Sequence, residues 1–102
     1  MTVREMRKIY GEITGKEWEL IVRKGHDYGT EDDRLSNFKR MASYLGMTPT
    51  EIILFFLWHK IDRLWNLARS AKVPQNESLA DTITDLRNYA FLLYCHLHES
   101  HR

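Results

Sequence analysis

The sequence predicts an all-α fold, a compact bundle of four to five helices built to associate with copies of itself. Apolar residues recur at steps of three and four in several segments, and helix-capping patterns stand at the heads of these runs. No stretch alternates apolar and polar residues over a strand's length, and no Asn-Gly or Asp-Gly hairpin turn is present. With 102 residues, of which 43% are hydrophobic and 28% charged, the chain is expected to form one domain over 1–102.

Two capping boxes open the chain, Thr2 with Glu5 and Thr14 with Glu17. The second heads Trp18, Leu20, Ile21 and Val22 and predicts a helix over about 15–24. Gly11 and Gly15 leave two arrangements open, one kinked helix or two short ones. The segment from Gly25 to Asp33 is rich in turn formers and acids and reads as a loop. Leu35, Phe38, Met41, Ala42 and Leu45 then mark an amphipathic helix that Gly46 ends. Thr48 as N-cap, Pro49 at the first helical position and Glu51 completing the box start a long helix over about 49–71. Its first turns are apolar all round, as in a helix covered on several sides or packed in an oligomer. Val73-Pro74-Gln75-Asn76 interrupts it, and a last helix of about twenty residues begins near Ser78, with Leu79, Ile83, Leu86, Ala90, Leu93 and Leu97 in helical register.

Fifteen basic against fourteen acidic residues give a net charge of +1, so no global field draws the chain to nucleic acid or to an anionic membrane, and direct nucleic-acid binding is not expected. The single cysteine, Cys95, has no partner for an intramolecular disulfide, which fits a reducing compartment. Charges interrupt the first ten residues, where a secretion signal needs an apolar stretch. The longest apolar run, Ile52 to Trp58, is also far short of the roughly twenty residues of a membrane span, so a cytoplasmic protein is expected.

Polar residues on the apolar helices mark the candidate chemistry. On the last helix Glu77, Asp81 and Asp85 fall at i, i+4 and i+8 on one face, where like charges repel by about 0.2–0.5 kcal/mol per pair and call for an offset. Either they hold Mg²⁺, a hard cation that takes oxygen ligands, or Lys60 and Arg63 pair with Asp81 and Asp85 across a helix seam. Lys60 and Arg63 themselves read either as a phosphate clamp or as solvated charges, with His59, Asp62 and Asn66 forming an adjacent polar ridge. Trp58 and Trp65, two turns apart on one face, read as core or interface before a base-stacking platform. The run Gly11 to Glu17 lacks the spacing, the Ser or Thr and the preceding strand of a P-loop. Cys95, His96, His98 and His101 match no zinc spacing, and no nucleophile elbow is present.

Taken in order, His26-Asp27-Tyr28-Gly29, Leu35-Ser36-Asn37-Phe38, Lys60-Ile61-Asp62-Arg63-Leu64 and the run from Glu77 to Ala90 resemble the phage and prophage domains called nucleotide modification associated. The resemblance spans roughly 18–94 and implies a phage-encoded, all-α protein of the host cytoplasm that acts on or binds nucleotides, distantly similar to MazG-type NTP pyrophosphohydrolases. It implies a site of Asp27, Tyr28, Asn37, Lys60, Arg63, Asp81 and Asp85, to which the polar ridge adds His59, with Tyr28 or Tyr89 set against the base. The chain departs from MazG-type enzymes: no helix supplies Glu-x-x-Glu, and Glu17 and Glu19 cannot share a face. The expectation is therefore a homo-oligomeric nucleotide-binding protein that requires no cofactor and sequesters a nucleotide or a nucleotide-derived defence signal. The alternative is a Mg²⁺-dependent pyrophosphohydrolase with Glu77, Asp81 and Asp85 on the metal. A third reading docks the aromatic face of 52–65 on a host protein.

Overall fold

The computed structural model describes residues 1–30, 33–70, 73 and 78–100. It contains four helices in the order α1 (Val3–Tyr28), α2 (Ser36–Leu45), α3 (Pro49–Ser70) and α4 (Leu79–Ser100), and no strand among the described residues. The chain divides into two units, Met1–Arg34 and Leu35–Arg102.

The first unit is a single long helix. Thr2 caps it as expected, its hydroxyl accepting from the Glu5 amide at 3.1 Å while the Glu5 carboxylate accepts from the Thr2 amide at 2.8 Å. The helix then runs without a break through Gly11 and Gly15, so the one-helix arrangement holds. Thr14 caps nothing: it lies inside the helix, where its hydroxyl donates to the Tyr10 carbonyl at 2.8 Å. The loop expected from Gly25 starts later, because Gly25 to Tyr28 complete the last turn and the Gly29 amide closes it on the Gly25 carbonyl. Gly29 is needed for space, since a Cβ there would stand 2.8 Å from the Arg34 backbone. No residue of α1 is buried, and Met6, Tyr10, Trp18 and Val22 are exposed.

The second unit holds the core. Gly46 adopts the left-handed conformation (φ 66°, ψ 34°), which ends α2 at the residue the sequence marks for it. Thr48 and Glu51 then form a reciprocal capping box at the head of α3, with both hydrogen bonds present. Glu51 is held below the usual carboxylate range because the Thr48 backbone amide donates to it. Leu35, Phe38, Ala42, Ile52 and Ile53 are buried together, with Met41, Phe56, Leu57, Tyr89, Leu92, Leu93 and Cys95 packed against them. Three rings tie the helices: Phe38 of α2 meets the edge of Phe56 of α3 at 6.2 Å, and Phe56 stacks on Tyr89 of α4 at 5.2 Å and 9°. Burial pushes the Cys95 thiol up, which makes it a core side chain rather than a nucleophile.

The burial pattern of α4 differs from its apolar periodicity. Leu79, Ile83 and Leu97, three members of the expected apolar row, are exposed, whereas Thr82 and Asn88 are buried. The physical reason is that the first half of α4 meets α3 through Thr82 and Asp85, while Tyr89, Leu92 and Leu93 of its second half pack on the core.

Candidate functional site

The site is the seam between α3 and α4. The two helices run antiparallel in a fixed register, so that steps toward the N-terminus of α3 match steps toward the C-terminus of α4. Arg63 meets Thr82, Lys60 meets Asp85, and Phe56 meets Tyr89. All three α3 residues lie at helical steps of three or four and so share one edge.

Lys60 and Asp85 form the centre of this ladder. The ammonium lies 3.0 Å from the Asp85 Oδ2, and the two side chains are only 17% and 16% exposed. The pair therefore sits in a medium where its attraction is several-fold stronger than in water, against the expense of removing both charges from solvent. It also supplies the offset that the acidic row demands. One turn along α3, the Arg63 Nε donates to the Thr82 hydroxyl at 3.1 Å, which fixes the plane of the guanidinium. The Thr82 hydroxyl in turn donates to the Ser78 carbonyl at 3.2 Å, so the acceptor for Arg63 is itself held. Of the seam pairing expected of Lys60 and Arg63 with Asp81 and Asp85, the Lys60–Asp85 contact is present, and Arg63 bonds Thr82.

Asn88, on the same helix as Thr82 and Asp85, is a further buried polar residue that the sequence does not single out. It stands one turn beyond Asp85 in the row of Asp81 and Asp85, is only 9% exposed, and its Oδ1 is buried with no hydrogen-bond donor among the described residues. An acceptor in that condition costs about 1–3 kcal/mol. The signal that could have found it is a polar residue between Leu86, Tyr89 and Leu92, seven residues after Asp81.

The remaining candidates are dispersed. Asp81 is exposed on the first turn of α4, where the Ser78 hydroxyl accepts from its backbone amide at 3.0 Å. Asn37 is half-buried on the first turn of α2, and His59 is exposed on α3 with Asp62 and Asn66. Asp27 and Tyr28 belong to the first unit, at the exposed end of α1, with His26 Nδ1 3.5 Å from the Asp27 carboxylate. Glu77 lies outside the described residues, as do Pro74 to Asn76 of the expected helix break and His101. No group of three His, Cys, Asp or Glu side chains able to hold a metal occurs among the described residues. No single helix is long and apolar enough to cross a membrane. Comparison of the chain with protein-family models, curated proteins and solved structures finds no match.

Proposed function

We propose that the protein binds a nucleotide or a nucleotide-derived molecule through its phosphates, in the α3–α4 seam. The observation that carries this reading is the inverted patterning of the seam. A helix pair ordinarily buries apolar residues between its members, yet beyond the Phe56–Tyr89 stack Lys60, Arg63, Thr82 and Asp85 meet across it. Buried polar groups are expensive to keep, and sites of recognition are where such expense is retained. Arg63 offers a planar fork suited to phosphate oxygens, its Nε held by Thr82, and Lys60, paired with Asp85, adds a second cation one turn away. The buried Asn88 Oδ1 is an acceptor, matched by a sugar hydroxyl or an exocyclic amine. Tyr89, already stacked on Phe56, offers a ring held in one orientation. The resemblance to phage and prophage nucleotide domains supports the same ligand class and a role in sequestering a host signal in the cytoplasm.

The hydrolytic alternative is less well supported. Lys60 stands where a cation bound to Asp85 would have to sit, and its positive charge opposes Mg²⁺ there. The residues able to hold the metal would then reduce to Asp81 and Glu77.

The test is retention. The purified protein is incubated with a mixed nucleotide extract and Mg²⁺, separated from free ligand, denatured by heat, and its bound molecules identified by mass spectrometry. Recovery of one intact phosphate-bearing molecule is expected, with loss of retention in Arg63→Gln. Asn88→Leu is the sharper variant, because replacing an unpaired acceptor by an apolar side chain leaves the free protein as stable or more stable while removing the ligand contact. No retained ligand, with a nucleotide consumed and its monophosphate formed, would overturn the reading in favour of hydrolysis.

A further inference from the structure

The face of α3 opposite the seam is apolar and uncovered. Leu54, Trp58, Ile61 and Trp65 follow one another at steps of four, three and four, the spacing of a coiled-coil seam, with Phe55 beside them. Trp58 and Trp65 are 65% and 62% exposed, and Leu54, Phe55 and Ile61 are exposed as well. A continuous stripe of this kind marks an interaction surface, and Trp and Phe are the residues most enriched at the centres of such surfaces.

We infer that this stripe is the interface with a second copy of the chain, packed α3 against α3 in antiparallel orientation about a twofold axis. The stripe is complementary to itself when reversed. Centring the axis between Trp58 and Ile61 sets Trp58 against Ile61 of the partner subunit and Leu54 against Trp65 of the partner subunit, a large residue facing a smaller one at every level. The same register brings Glu51, at the head of the stripe, level with Arg69 of the partner subunit at its foot. Arg69 is already drawn to this edge, its guanidinium 5.4 Å from the Trp65 ring. A parallel pairing would instead set Glu51 on Glu51 of the partner subunit and align the two helix dipoles unfavourably. At about 150–250 Å² for a fully buried aromatic side chain, the exposed parts of these five residues bury on the order of 1,200 Å² over both copies, the lower bound of a stable specific interface.

Sedimentation equilibrium of the full chain, with Trp58→Glu, Arg69→Glu and Glu51→Lys/Arg69→Glu variants, tests the inference. A dimer is expected, weakened about thirtyfold or more by Trp58→Glu, which replaces a central anchor exposed in the single chain. Arg69→Glu weakens it about two- to fivefold, and the double reversal restores it. Circular dichroism confirms that each variant retains its helices. Three outcomes overturn the inference: a monomer at every concentration, whether its Trp58 is open to quencher or covered by its own chain; a dimer indifferent to Trp58→Glu; or a monomer that floats with phosphatidylcholine vesicles.

Discussion

The two faces of α3 depart from the usual pattern of a soluble helix in opposite ways. The face toward α4 carries an ammonium and a guanidinium, each engaged by a partner on that helix, while the opposite face carries two exposed tryptophans. Neighbouring residues show the contrast at its sharpest: Ile53 is 0% exposed and Leu54 is 48% exposed. Apolar burial alone cannot explain a helix so arranged. The inner face holds Lys60 and Arg63 against partners on α4 beside the apolar core of Ile52, Ile53 and Phe56, and the outer face exposes its tryptophans.

The largest expected effect separates those neighbours. Ile53→Ala should lower the stability of the chain by about 2–5 kcal/mol, the sum of lost transfer energy and a cavity. Leu54→Ala should change the unfolding midpoint of the dilute chain by less than about 0.5 kcal/mol, its effect appearing instead as weaker self-association. Equal effects in urea titrations of the two variants would erase the difference between the faces.

Next comes the ion pair. Lys60→Met leaves Asp85 poorly solvated and without its cation, and should destabilise by about 2–4 kcal/mol, somewhat below the figure for a fully buried pair. The Lys60→Met/Asp85→Leu double variant should recover most of that loss, because an apolar pair in the seam satisfies itself. Additive losses in the thermodynamic cycle would mean that the two side chains do not interact. Arg63→Lys is milder: it removes the bond from Nε to Thr82 at about 1 kcal/mol, and it should abolish ligand retention out of proportion to its effect on stability.

The smallest effect concerns the head of α3. The Glu51 carboxylate is held below its ordinary value by the Thr48 amide, so the folded state favours the ionised form. Its contribution is present above the unfolded carboxylate range and is lost as pH falls through the lowered folded value. The acid limb of the stability profile should therefore flatten in Glu51→Gln, read from thermal midpoints between pH 6 and pH 3, taken as roughly the range over which carboxylates titrate.

Much of this fold was legible in the sequence where local chemistry decides it. Gly46 in the left-handed region and the Thr48–Pro49–Glu51 start set the ends of α2 and α3, because turn and cap chemistry is local. The span of α1 was less legible: Gly11, Gly15 and Gly25 each lower helix propensity by about 1 kcal/mol relative to Ala, and Thr14 mimics a cap although its hydroxyl bonds back along the helix. The basic pair and the acidic row were visible as residues, but not their register. A slip of one turn would place Lys60 on Asp81 instead of Asp85, and that choice is made by the Phe38–Phe56–Tyr89 ring stack, a contact among three helices. Asn88 is not legible in the sequence for the same reason, since its burial depends on which side of α4 meets the rest of its unit.

Whether the outer face of α3 is covered in solution is open to direct measurement. Trp18→Phe leaves Trp58 and Trp65 as the only tryptophans, both on that face. Acrylamide quenching of their fluorescence across a dilution series should show shielded, blue-shifted emission at high protein concentration that becomes red-shifted and quenchable on dilution. Red-shifted, fully quenchable emission at every concentration would contradict the account.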